Sequence, residues 1–218
     1  MTGRGEDGGG ADAGGRDGVP VPAGVVGDDR WELVETDETS FGDARLATVR
    51  SRRALYGDRR LRERVRAATG HDRLWRSVFV ARLTTEPPLT PGVAGLVVRS
   101  VAFPRARSRF RDDLADRGFR AVEEVERRRV DVGAGQRARA ARLSAVVPVD
   151  DATASAGAGT DDGVAVDAWI ALWHRDREMV AAGGFYPVAT LSGAPDAFAS
   201  PGEYRERLFE FVRAVSEE

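Results

Sequence analysis

The chain contains no cysteine, no lysine and no asparagine, and it has two histidines, His71 and His174, and one isoleucine, Ile170. Without cysteine there is no disulfide, no thiolate nucleophile and no zinc–sulfur site, a composition that fits a reducing compartment. Two imidazoles are too few for a multi-histidine metal centre. No apolar run approaches the ~20 residues that cross a bilayer, and the stretch from Met1 to Gly10 lacks the apolar centre of an export signal. A cytoplasmic protein without membrane association is the expectation. No Gly-x-Ser-x-Gly elbow is present, and no constellation points to a catalytic residue, a metal or a cofactor.

What is present is arginine, which supplies all 33 basic residues. Residues 1–50 carry 5 arginines against 11 acids, residues 51–148 carry 23 against 11, and residues 149–218 carry 5 against 13. The middle is basic and both ends are acidic. Such a middle could draw a polyanion, or the acidic ends could neutralise it in three dimensions. At 218 residues the chain holds one sizeable core.

Residues 1–28 are dominated by Gly, Asp and Ala and contain no aromatics, too little apolar area to offset the entropy of ordering, so they read as a disordered leader to a single α+β domain over 29–218. Trp31–Val34 and Arg45–Tyr56 read as strands. Asp58 caps a helix that Gly70 ends near Thr69, with Leu61, Val65 and Ala68 on one stripe. Leu74–Thr85 reads as a central strand, and Val93–Phe103 is an apolar run that fits strand or helix and is read as a strand. A helix covers about 104–117, with Pro104 in its first turn. Phe119–Val132 changes the parity of its apolar positions, which predicts a bulge among Glu126–Arg129. Gly133–Gln136 then turns into a strand alternating through Ala141, Leu143, Ala145 and Val147. A low-complexity mobile loop is expected over 150–163. Val164–Trp173 and Met179–Tyr186 form the next hairpin, and Ser200, Pro201 and Glu203 open a last helix with Tyr204, Leu208, Phe211 and Val215 on one face.

Strands joined by short turns, with helices at the start, middle and end, predict an antiparallel sheet flanked by helices. Over residues 105–216 the order helix, hairpin Phe119–Val147, hairpin Val164–Tyr186 and helix resembles the PsbP-like α/β/α sandwich, a superfamily that includes a photosystem-associated protein, a nuclear-transport factor and bacterial lipoproteins. The resemblance implies a role in binding or assembly and carries no functional residue across. The arginine-rich, lysine-free wording is similar to small proteins of halophilic archaea, from whose acidity the net charge of −2 departs.

Gly133-Ala134-Gly135-Gln136-Arg137-Ala138 matches G-x-G-x-x-A, but a dinucleotide site needs a buried parallel strand before it and a helix after it. The preceding Glu123–Arg129 is too charged for that strand, and the alternation that follows favours a hairpin. Trp169, Trp173 and Tyr186, with His174 at the hairpin tip, are the candidate ligand-binding residues, able to line one face of a cavity with Met179 and Phe185 opposite. As aromatics on an apolar strand they also suit a core. Arg59, Arg60, Arg62, Arg64 and Arg66 decorate one short helix and are the candidate nucleic-acid contacts, although no aromatic stacking set interleaves with them. The expectation is therefore a non-enzymatic binding or interaction module that takes a protein partner or a small apolar ligand. Nucleic-acid association and a small enzyme centred on His174 are the alternatives.

Overall fold

The computed structural model describes residues 26–27, 29–43, 47–88, 98–133, 135–149, 163–175, 178–191 and 193–218. The expected leader and the expected mobile loop lie almost wholly outside the described residues.

Seven strands form one antiparallel sheet: β1 (Trp31–Asp43), β2 (Ala47–Asp58), β3 (Ser77–Glu86), β4 (Arg120–Gly133), β5 (Gln136–Pro148), β6 (Gly163–Arg175) and β7 (Glu178–Pro187). Their order across the sheet is β1-β2-β3-β7-β6-β5-β4. Among the described residues three α-helices accompany them: α1 (Arg59–Thr69), α2 (Phe103–Asp116) and α3 (Pro201–Glu217). The chain reaches the far edge at β4 and works back inward, so β7 closes the sheet against β3. This middle strand is buried from Met179 to Pro187, and the sequence supports that with Ala181-Ala182-Gly183-Gly184, small enough for two close neighbours.

Side chains alternate across each strand. Ile170 and Trp169 therefore face opposite ways, and so do the helices that meet those two sides. Phe110 of α2 sits 5.2 Å from Phe79 of β3, while Phe209 of α3 sits edge-on to Trp169 at 5.1 Å.

Local chemistry explains the helix ends. The Asp58 carboxylate accepts the Leu61 N–H at 3.0 Å, and Gly70 takes the left-handed conformation (φ 80°) that ends α1. Ser200 Oγ accepts the Glu203 N–H at 3.2 Å to start α3. Asp58 also holds Arg30 at 3.0 Å and Arg76 at 2.9 Å, with the Arg76 guanidinium between the rings of Trp31 and Tyr204 at 4.9 and 5.0 Å. One carboxylate thus ties the start of α1 to the residues just before β1 and β3, and Arg76 carries the link on to Tyr204 of α3.

Two expectations are corrected. Within Val93–Phe103, read as a strand, Val98–Ala102 is a π-helical turn that runs into α2. A short apolar run has no period that separates strand from helix. The bulge expected among Glu126–Arg129 falls earlier, with register shifts between Arg120 and Glu123 and between Glu124 and Glu126, and a third between Asp131 and Gly133. Ala121 takes φ 50° at the first of them. Parity shows that a residue is inserted before Val130, while the position at Val125 depends on the pairing with β5.

The G-x-G-x-x-A stretch lies in a hairpin: Gly133 pairs with Gln136, and Gln136–Pro148 is a strand. No helix follows the glycines, so nothing there can receive a pyrophosphate.

Candidate functional site

The strand pairings place residues in rows across the α2 face. One row runs Asp37, Arg53, Ala81, Ala181, Leu172. The row on one side runs Glu35, Leu55, Phe79, Gly183, Ile170, and the row on the other runs Thr39, Ser51, Leu83, Met179, His174. Two alanines side by side between Phe79 and Leu83 leave a trough in the sheet. Ala106 and Phe110, four apart on α2, roof it over.

The result is a cavity of about 400 Å³ with an apolar floor of Phe79, Ala81, Leu83, Ile170 and Ala181. Thr39, Ser40, Ser51, Arg53 and Asp113 supply polar groups, and Arg105 and Arg109 of α2 border it. The volume falls within the range of about 300–1,000 Å³ usual for small-molecule sites.

Arg53 is held before any ligand arrives. It pairs with Asp113 of α2, with Glu35 at 2.9 Å and with Asp37 at 3.8 Å, while Arg109 engages the same Asp113 at 3.0 Å. Arg117, just past α2, pairs with Glu35. These contacts bind α2 to the β1–β2 edge and fix the roof.

The hydrogen bond from Arg117 holds the Glu35 carboxyl below its ordinary value of 4.5; burial opposes this, and the charges of Arg117 and Arg53 reinforce it. A folded value below the unfolded one contributes stability that is complete above the unfolded pKa and is lost as pH falls through the folded one. As pH drops below 4.5, the urea midpoint of the wild type should therefore fall more steeply than that of Glu35→Gln. Parallel slopes would show that the pair contributes nothing. Glu35 is 37% exposed, so solvent screening keeps the effect small.

Trp169 and Tyr186 lie on the opposite face of the sheet. Trp169 Nε1 donates to Tyr186 Oη at 3.2 Å, and the two rings pack against Phe209 and Tyr204 of α3. Burial pushes the Tyr186 hydroxyl up to about 12. Trp173, on the same face, is 2% exposed. None of the three lines the cavity. His174 shares the cavity face at the end of the Leu83 row but is not among the lining residues, and its Nε2 is buried without a hydrogen-bond partner.

Of the α1 arginines, Arg59 donates to the Asp29 carbonyl at 2.7 Å and pairs with Glu63, and Arg62 joins Asp72 and Glu32. Arg64 donates to the Ala197 carbonyl at 3.2 Å, and Arg66 pairs with Asp72 at 3.8 Å. Arg60 makes no ion pair among the described residues. Among those residues no three His, Asp or Glu side chains converge as metal ligands, and no helix is long and apolar enough to cross a membrane.

Single-sequence reasoning missed the Ala81–Ala181 pair, because neither alanine signals a site until β3 and β7 become neighbours. Arg53 carried a usable signal, an arginine among the inward positions of β2.

No curated protein matches the chain. Among solved structures it is similar to the extracellular domain of PknH from Mycobacterium tuberculosis, at 10% identity over 90% of each chain and a TM-score of 0.31. The model of a domain of unknown function, DUF6517, matches residues 18–216, and the chain belongs to that family.

Proposed function

We propose that the protein is a binding module that takes a small, predominantly apolar molecule into the cavity between α2 and the sheet. The observation that carries this reading is the trough made by Ala81 and Ala181 beneath Phe110, apolar below and polar at the Arg53 end. Apolar surface in a half-open pocket supplies affinity, and a few fixed polar groups supply orientation. Arg53, Arg105 and Arg109 line the pocket with Asp113 as the acid of that lining, while Glu35 and Asp37, which also pair with Arg53, stand outside it, so a carboxylate is the polar group the pocket's own lining suits.

Binding without catalysis suits this lining. Its hydroxyls belong to Thr39, Ser40 and Ser51, and its carboxylate, Asp113, is already engaged by two arginines, so among the described residues no free base stands beside a nucleophile. A nucleic-acid role for α1 draws less support, since four of its five arginines are committed to contacts within the chain. The same proposal treats the architecture as an α/β/α sandwich resembling the PsbP-like kind; Phe110 on Phe79 and Phe209 on Trp169, on opposite sides of the sheet, support it.

The test is a thermal-unfolding series with apolar acids from benzoate to decanoate, on the wild type and on Ala181→Trp, whose indole fills the trough. A ligand present at a hundredfold excess over its Kd adds about 2.7 kcal/mol to stability. The melting temperature of the wild type should rise with at least one acid, and that of Ala181→Trp should stay flat. An equal response from both proteins, or none from either, sinks the reading.

A further inference from the structure

As the last strand in the sheet order, β4 has no strand beside its outer edge among the described residues. A terminal strand presents a row of unpaired N–H and C=O groups. The bulges of β4 leave Glu126–Asp131 in unbroken register with Arg142–Arg137, a straight stretch of edge.

Alongside it runs α3, whose Arg205, Phe209 and Arg213 stand four apart on one stripe. Between the stripe and the strand lies an open groove of about 720 Å³. Arg128 stacks at its base, 4.8 Å from the Trp169 ring and 5.7 Å from the Phe209 ring, and pairs with Glu126 at 3.4 Å. Arg129, Arg205 and Arg213 make no ion pair among the described residues. Asp131, the acid of the strand wall, accepts the Gly133 N–H at 2.9 Å. Alternation along β4 turns Arg128 toward α3 and Arg129 and Asp131 to the other face, so the charged side chains facing the groove are Arg128, Arg205 and Arg213 against Glu206.

We propose that this groove binds an acidic polypeptide segment of a partner protein, in extended form, as an added strand on the β4 edge. Main-chain hydrogen bonds to the edge provide the affinity, and alternate side chains of the segment, projecting toward α3, set its carboxylates against Arg205 and Arg213. Single-stranded nucleic acid would need open aromatic faces for its bases. The faces here, Trp169 and Phe209, are covered by Arg128, which favours the peptide.

The probe is a fluorescein-labelled octapeptide of alternating Glu and Val, titrated with the full chain by fluorescence anisotropy. Saturable binding is expected. Arg205→Glu combined with Arg213→Glu should weaken it by about tenfold or more, as should N-methylation of alternate peptide amides. Both arginines are exposed, and an unchanged urea midpoint would confirm that the double variant folds. Hydrogen exchange supplies a second readout, in which added peptide should slow exchange at residues 127–131 selectively. Absence of saturable binding overturns the proposal. So does equal affinity for the N-methylated peptide, which would mean adsorption by charge alone, or displacement by oligo(dT) with no slowing of exchange on β4.

Discussion

Alanine in place of Asp58 should cost about 3–5 kcal/mol, the penalty for stripping the partner from a buried charge, with about 1 kcal/mol more for the lost helix cap. The charge at issue belongs to Arg76, whose side chain is 4% exposed beside a carboxylate 1% exposed. Burial pushes the Arg76 guanidinium down from its ordinary value and Asp58 pulls it back up, but an arginine does not escape by losing its proton. Without Asp58 it stays charged, facing the rings of Trp31 and Tyr204 and repelled by Arg30.

Domains of this kind are stable by about 5–15 kcal/mol in total, so the loss is a large share of what holds the chain folded. The measurement is the urea midpoint at unchanged slope. Asp58→Asn, which keeps an acceptor for the Leu61 N–H, should recover the cap portion alone. Adding Arg76→Met to Asp58→Ala should recover most of the rest, because an apolar pair of similar volume is tolerated where a lone charge is not. A midpoint for Asp58→Ala within error of the wild type would show that water reaches Arg76.

Alanine at Gly183 or Gly184 should destabilise the protein by about 1–3 kcal/mol, against the sign that chain entropy predicts. Replacing glycine where the backbone tolerates it stabilises a fold by about 0.4–1 kcal/mol. Here the obstacle is space. A Cβ on Gly183 would collide with the Trp169 carbonyl oxygen and come within 3.0 Å of Phe79 Cε1, and one on Gly184 would collide with the Ser77 carbonyl oxygen. Backbone cannot swing aside as a side-chain tip does. The collision at Gly183 also pushes Phe79 toward Phe110, narrowing the cavity, so Gly183→Ala should weaken binding of any acid found to fill it, while Gly184→Ala, on the opposite face, should not. Gly202, in the first turn of α3 with nothing within 4 Å, is the control: its alanine variant should be more stable by a few tenths to about 1 kcal/mol. Unfolding midpoints of the three variants separate space from propensity; a stabilised Gly183→Ala would mean that the strands part easily there.

Helix ends and strand periods could be read from neighbours in sequence. Asp58 and Gly70 bracket α1, Ser200 and Pro201 open α3, and the alternation at 141–147 and 164–173 marks β5 and β6, because caps and pleats depend on residues two to four apart. The same alternation places Trp169 and Ile170 on opposite faces. It says nothing about which strand lies alongside. The pairing of β3 with β7 joins residues about a hundred positions apart, and the cavity floor exists only through that pairing, since Ala81 and Ala181 are unremarkable until they stand side by side. The burial of Arg76 is of the same kind: Trp31 and Tyr204 reach it from opposite ends of the chain. Local sequence encodes period and termination through short-range sterics and hydrogen bonds. Register, burial of charge and empty space are properties of distant segments meeting, and they arise only when the sheet closes at β7.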